Sequence, residues 1–303
     1  MVTSLDKVPD VGQGGSVVAG MVTPTEPAIS ARLRRRKRPV GAILGATWLV
    51  IVILAAVLAQ ALPLPKPAAL GNTFAAMPSW DHWLGTDGLG RDVLSRIVFG
   101  ARGSMAVAIG ATSLALVIGV PLGMISGFFR GATDAGISLF VNFMLSFPPL
   151  IFLIAVVTAL KPGILTLVVA LALLGIPTFA RVARANTIAL ADREFVTAAR
   201  ALGASPLRIL RRELLANVML PILSLALVVM ATLVVAEGTL SFLGLGIPPP
   251  TPSWGGMLSA GRDSLRTHPL LVFVPALFFF LTVLAFNMLG DWARSRVGRS
   301  SSI

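Results

Sequence analysis

The segment DREFVTAARALGASPLRILRRELLANVMLP, residues 192–221, is the longest charge-bearing stretch between two apolar spans in the second half of the chain. Asp192 is placed to cap a helix, and Glu194 falls in its first turn, where a carboxylate meets the positive end of the helix dipole. Phe195, Ala198, Ala199 and Leu202 recur at i, i+3, i+4 and i+7, one face of a short amphipathic helix. Gly203 stands where such a helix ends in a left-handed residue, and Ser205-Pro206 is an N-cap and first-position pair that opens a second helix. There Leu207, Leu210 and Leu214 make an apolar stripe, while Arg208, Arg211 and Arg212 make a basic one. Two short helices joined at Gly203 form an elbow whose alanines let another protein's backbone approach closely. The pattern alone leaves two readings: a basic amphipathic segment resting on lipid headgroups, or a helix laid into a partner's groove.

The rest of the chain sets the surroundings. It has 303 residues, 55% hydrophobic and 13% charged, against roughly 25% charged in soluble domains; the mean hydropathy is +0.87. This is the composition of an all-α polytopic membrane protein. With no cysteine and two histidines far apart, His82 and His268, neither a disulfide nor a metal centre is expected. The net charge of +12 does not point to nucleic acid, because the basic residues cluster on one side of the membrane.

Residues 1–38 read as a disordered basic cytoplasmic tail ending in the run RLRRRKR at 32–38. The charge-free stretch 39–65 is too long for the core of a signal peptide and reads as the first transmembrane helix. Residues 66–102 form an outer segment. Spans follow at about 103–129, 135–160, 162–180, 214–240 and 267–290, with a charged loop at 181–213, an outer loop at 241–266 and a tail at 291–303. The charge-free sequence GTLSFLGLGIPPPTPSWGGMLSAG (238–261) holds too many glycines and prolines for a continuous helix in lipid, so most of it is placed outside. With six spans and the N-terminus inside, 18 of the 25 Lys and Arg fall on the inner side and seven on the outer. The positive-inside rule then puts both termini and the elbow in the cytoplasm.

Other features are local. In LGTDGLGRDVLSRIVFGAR (84–102), Thr86, Asp87, Gly88 and Gly90 make a turn, and Asp92 caps a short helix. Neither a calcium loop nor a nucleotide fingerprint is complete there. Phe147-Pro148-Pro149 should kink or break the third span. Glu237 is set in an apolar span near its outer end; such a residue is a functional candidate, or it reaches the interface or caps the turn into the outer loop.

Three segments in fixed order, LGTDGLGRDVLSRIVFGAR (84–102), REFVTAARALGAS (193–205) and LSFLGLGIPPPTPSWGGML (240–258), resemble the C-type permease subunit of the dipeptide/oligopeptide/nickel ABC importer family. The likeness runs from about residue 84 to 291. Ala198-Ala199, three residues, then Gly203 resembles that family's EAA loop. Thr197 stands at its name-giving glutamate, and Glu213 and Ala216 replace an apolar residue and a proline. The C-terminal GDWARSRVGR departs from the usual ending. The resemblance implies a type I importer: a homologous second permease, two ATP-binding subunits, an extracellular substrate-binding protein and the lipid bilayer as partners. ATP and magnesium would belong to the ATPases, since this chain has no Walker motif and no catalytic constellation. The implied ATPase-coupling residues are Phe195, Thr197, Ala198, Ala199, Leu202, Gly203, Ser205 and Arg208, with Arg181 and Arg184 preceding them. The implied cargo is a di- or oligopeptide, with nickel chelates or haem as the alternative.

An ion-coupled secondary transporter would carry ionisable groups near the bilayer midplane, and five of the six spans have none between their ends. A polytopic membrane enzyme would need a cluster of acid and base residues within the spans, and the sequence offers none.

Overall fold

The computed structural model describes residues 40–300, and the 1–38 tail with its basic run lies outside them. Ten α-helices are found among the described residues: α1 (Val40–Leu58), α2 (Val93–Phe129), α3 (Gly131–Ser146), α4 (Pro149–Ala159), α5 (Ile164–Ala191), α6 (Glu194–Ala201), α7 (Pro206–Arg208), α8 (Leu215–Phe242), α9 (Trp254–Gly261) and α10 (Leu270–Ser300). A π-helical turn, Ile209–Leu214, joins α7 to α8, so that Pro206–Phe242 is one rod. Five helices are long and apolar enough to cross a membrane, and a sixth span results if α3 and α4, bent by 90° at their junction, count together. The bend falls on Phe147-Pro148-Pro149, where Pro149 opens α4 and Phe147 is extended.

The helices outrun the charge-free stretches. An absence of charge marks what can sit in hydrocarbon, whereas a helix ends where a cap or a proline ends it. Thus α2 begins at Val93, not near 103, because the Asp92 carboxylate accepts the Ser95 N–H at 2.7 Å. The short helix expected after Asp92 is the first part of this 37-residue rod. Helix α5 continues past 180 to Ala191, and α10 passes Asp291 without a break. Helix α1 stops at Leu58, short of 65, ahead of Pro63, Pro65 and Pro67, which have no N–H to continue it. The expected outer loop contains α9, opened by a Ser253 cap on the Gly256 N–H.

The centre of the fold is the seam between α2 and α5. On α2, Ala111, Ala115, Gly119, Gly123 and Gly127 repeat every fourth residue and so lie on one face. Opposite them on α5 are Ala172, Gly175, Ala180, Ala183 and Thr187. The approach is backbone to backbone. A Cβ on Gly119 would come 2.7 Å from the Ile176 carbonyl oxygen, and one on Gly127 would come 2.7 Å from that of Arg184. On Gly123 it would overlap the Ala180 carbonyl. Both helices run in the same direction and finish at the same end of the bundle. Large side chains fill in around them: Leu153 of α4, Leu167, Leu171 and Phe179 of α5, and Leu214, Val218 and Ile222 of the following rod.

A second cluster joins α1, α8 and α10 to the first half of α2 through Leu49, Val52, Met105, Val234, Ala285 and Phe286. Gly45 of α1 lies against the Ala285 backbone, Gly41 against Met288, and Trp48 Nε1 donates to Thr282 Oγ1 at 3.0 Å. These pairings place the start of α1, the α5–α7 connection and the end of α10 at one end of the bundle. The α2 N-terminus and α9 lie at the other.

Replacing Gly123 with Val should cost about 1–3 kcal/mol or more through overpacking of a site that cannot yield, whereas Gly136→Ala, which meets open space, should be silent. Melting in mild detergent followed by tryptophan fluorescence checks both; equal Tm values for the two variants would contradict the seam.

Candidate functional site

The elbow leaves the seam directly. Helix α5 ends at Ala191, two residues turn the chain, and α6 begins at Glu194. Asp192 does not cap α6. That position falls to Arg193, with no side-chain cap, while Asp192 closes α5 and accepts Arg130 Nη2 at 2.7 Å. The expected cap fails because the long helix before it runs about three turns further than the charge pattern implies, to Ala191. The bend at Gly203 is as expected: φ is +79°, the Gly203 N–H donates to Arg200 O at 2.9 Å and the Ala204 N–H to Ala199 O at 3.0 Å. This is a Schellman closure, and Ala199 and Ala204 pack together on the core beneath it. Ser205 has extended backbone and precedes Pro206 at the first position of α7, but its hydroxyl makes no capping bond.

Which side chains face out is decided by the core. Val196 is fully buried, as are Ile209 and Leu214, and Leu210 nearly so. These four anchor the elbow against the helices of the main cluster. The π-helical turn at 209–214 widens the helix by a residue and brings Ile209 inward. Leu207, expected on the apolar stripe with Leu210 and Leu214, is 57% exposed instead. Of the residues expected on one face of α6, Ala199 turns partly inward, while Phe195, Ala198 and Leu202 stay exposed, Leu202 at 88%. Thr197 is exposed beside them. The solvent side of the elbow is therefore a ridge of Phe195, Ala198, Leu202 and Leu207 bordered by Arg208, Arg211 and Arg212. Arg200 lies over the Phe128 ring at 5.2 Å and ties α6 to the end of α2.

Sequence reasoning missed a polar cluster one layer below. Arg184 Nε and Nη2 donate to the two oxygens of Asp134 at 2.6 Å each, and the same carboxylate accepts Ser126 Oγ and Ser138 Oγ. Arg181 Nη2 donates to Asn142 Oδ1 at 2.9 Å. The signal was Asp134 itself, an acid in the first turn of a span otherwise free of charge.

Glu237 lies at the far end of the bundle and has no solvent exposure. Ser241 Oγ donates to its Oε1 at 2.7 Å and Ser104 Oγ to its Oε2 at 3.1 Å. Ser253 Oγ reaches Ser241 Oγ at 3.4 Å, and the Trp254 N–H reaches Ser104 Oγ at the same distance. Trp254 is itself buried, with its indole N–H on Ile97 O at 3.1 Å. Glu237 thus bonds side chains of α2 and α8 and, through Ser241, reaches the cap of α9. Nearby, Asp87 accepts Arg91 Nε at 2.8 Å, and Ser95 Oγ and Arg96 Nη1 hold the carbonyls of Pro65 and Pro67. This pins the 66–92 segment to the start of α2.

The fold has counterparts among known proteins. The structure is similar to that of the MetNI methionine ABC transporter in inward-facing conformations, with a TM-score of 0.56 and 21% identity over 67% of this chain and 97% of that one. It is also similar to an amino acid ABC transporter, with a TM-score of 0.53 and 16% identity over 67% and 94% of the two chains. The fold is that of an ABC importer transmembrane subunit. In sequence, the glutathione transport system permease protein GsiD of Escherichia coli is 38% identical over 266 residues, 86% of this chain and 87% of the relative. The dipeptide transport system permease protein DppC of Alkalihalophilus pseudofirmus is 36% identical over 277 residues, 90% and 89% of the two. Residues 119–301 match the family described as binding-protein-dependent transport system inner membrane component. This chain belongs to that family.

Removing the Glu237 acceptor should destabilise without touching the elbow. Glu237→Leu strands Ser104 and Ser241 at about 1–3 kcal/mol for each buried hydroxyl, and Glu237→Gln, which keeps one acceptor oxygen, should lose less. Detergent melting curves rank the three proteins; a Leu variant as stable as wild type would remove Glu237 from the framework.

Proposed function

We propose that this chain is the permease subunit of an ATP-driven importer for di- or oligopeptides, and that its elbow is the contact through which ATPase subunits drive it. The single observation carrying the reading is the ridge of Phe195, Ala198, Leu202 and Leu207, exposed to solvent on an element whose other side is locked into the core. A large apolar residue as exposed as Leu202, held on a rigid Schellman-capped bend, suits a groove in a partner better than free solvent. Phe195, Thr197, Ala198, Leu202 and Arg208 then face the ATPase. Ala199, Gly203 and Ser205 shape the bend, and Arg211 and Arg212 meet acidic residues of the ATPase or lipid phosphates.

In this reading the chain is not itself an enzyme and needs no cofactor; ATP and magnesium are held by the ATPases. A homologous second permease completes the path, and a substrate-binding protein delivers cargo at the far end. The elbow and both termini lie in the cytoplasm of a cell whose plasma membrane the helices cross. The positive-inside count supports this orientation, and the helix pairings that put the start of α1, the elbow and the end of α10 at one end of the bundle agree with it. Peptide cargo is supported by the glutathione and dipeptide names of the relatives.

Copurification through a C-terminal tag from native membranes should recover a second permease and ATPases, with hydrolysis stimulated by peptide once the binding protein is added. Purification and transport by this chain alone would overturn the proposal. Gly203→Val places a β-branched residue at φ +79°, where an L-residue costs roughly 1–2 kcal/mol. In the reconstituted complex it should leave ATP hydrolysis near wild type and lower uptake by about tenfold, the effect of losing roughly 1.4 kcal/mol from the coupled step. Unchanged uptake at equal expression would rule out the elbow's role.

A further inference from the structure

Helix α3 is attached to the bundle unlike any of the long helices. Of its 16 residues only Val141 is buried. Its inward face, Asp134, Ser138, Val141 and Asn142, follows the i, i+4, i+7, i+8 spacing, and its contacts with α5 centre on two polar pins. One is the two-pronged Asp134–Arg184 pair with Ser126 and Ser138 on the same carboxylate; the other is Arg181 on Asn142. Between the helices is a cleft of about 320 Å³ whose walls are both polar, with Ser126, Asn142 and Arg181, and apolar, with Ile137, Val141 and Ala180. An apolar helix face would fill such a space. Polar side chains bridge it beside Ile137 and the buried Val141, so directional bonds carry much of the attachment of α3.

The joint before α3 is unusual as well. Arg130 has φ +52° and Gly131 φ +55°, two consecutive residues in the left-handed half of backbone space. Nothing lies within 4 Å of where a Gly131 side chain would be. Strain of this kind collects at hinges and switches. The guanidinium of Arg130 is tied to Asp192, the first residue of the elbow turn, at 2.7 Å. The hinge is therefore connected to the elbow on one side, and the helix it carries is connected to α5 on the other.

We propose that Arg184 and Asp134, with Arg130–Asp192 beside them, form the strut that passes displacement of the elbow to α3, and through α3 to the bent α4. They are positioning residues, acting on the path through the helix they hold. A two-pronged arginine–carboxylate pair suits the task because it fixes orientation as well as distance. Its partial exposure, 39% of the Arg184 side chain and 20% of that of Asp134, lets water replace either partner when the pair parts. The inference rests on the elbow reading above.

The test uses the whole reconstituted complex in liposomes. Because the natural chain has no cysteine, spin labels can be placed at Leu139 on α3 and Leu44 on α1, both strongly exposed. In wild type the separation of the labels should change when ATP is trapped with vanadate. In Asp134→Asn it should stay fixed while hydrolysis persists and uptake falls about tenfold, the scale of one lost charge-assisted contact. Arg184→Lys keeps the charge but not the fork and should fall between the two. The exchanged variant Asp134→Arg/Arg184→Asp should recover both label movement and uptake. Label movement that survives in Asp134→Asn, or an exchanged variant that folds yet stays as uncoupled as the single variants, overturns the strut. Gly203→Val run alongside separates the two ideas. If it is uncoupled while Asp134→Asn transports normally, the strut alone is wrong. If Gly203→Val itself transports normally, the elbow reading fails and the strut with it.

Discussion

Everything in this bundle is referred to the contact of α2 with α5, where two backbones meet over glycine and alanine. In lipid there is little hydrophobic gain in bringing helices together, because the solvent is as apolar as the side chains. What remains is close packing, and small residues every fourth position let it extend along the second half of α2 and most of α5. The contact also fixes register. A helix seated on Gly119, Gly123 and Gly127 cannot slide without setting a side chain against a carbonyl. The end of α5, and with it the point where the elbow leaves, is set by glycines on another helix.

The two ends of the bundle use polar groups in opposite ways. At the far end, Glu237, Ser104, Ser241 and Ser253 form a buried network that closes on itself. A buried network of this kind is costly to open, because every stranded hydroxyl loses its partner away from water. At the elbow end, Asp134, Arg184, Arg130 and Asp192 are partly or largely exposed. Water can reach these groups, so their bonds open at less cost than those of the buried network. The same chemistry thus makes a fixed frame at one end and a set of parting contacts at the other, and burial alone makes the difference.

This division explains what could be read from the sequence. Five spans and the bent pair that can make a sixth, the break at Phe147-Pro148-Pro149 and the bend at Gly203 were legible because each depends on local rules: length without charge, a missing N–H, a positive φ. Asp92 as a cap was legible for the same reason. The limits of the helices were not, since charge marks the hydrocarbon and caps mark the helix, and α2, α5 and α10 continue well beyond their apolar parts. Asp192 misled because its local pattern suited a cap while its position relative to Arg130 was set by the fold. The small-residue seam was written plainly at positions 111, 115, 119, 123 and 127, yet its partner on α5 is known only from the packing. The outward turn of Leu207 could not be read at all, because the π-helical turn that causes it shifts the phase of the helix by a residue.

The phase shift bears on how a load on the elbow is carried. Without it, Leu207 would share a face with Leu210 and Leu214 and be drawn inward, leaving the ridge to the first arm alone. With it, Ile209 takes the inward place, and both arms of the elbow keep an apolar residue outside and an anchor inside: Leu202 over Val196, Leu207 over Ile209. An element held this way cannot deform where it is pushed, since its bend is closed by backbone bonds and its anchors sit in the main cluster. Force applied to the ridge must therefore pass to α5 and to the rod that begins at Pro206. The seam makes α2 follow α5. The first joint free to yield is the one the seam does not cover, at Arg130 and Gly131, beyond the last glycine of the stripe.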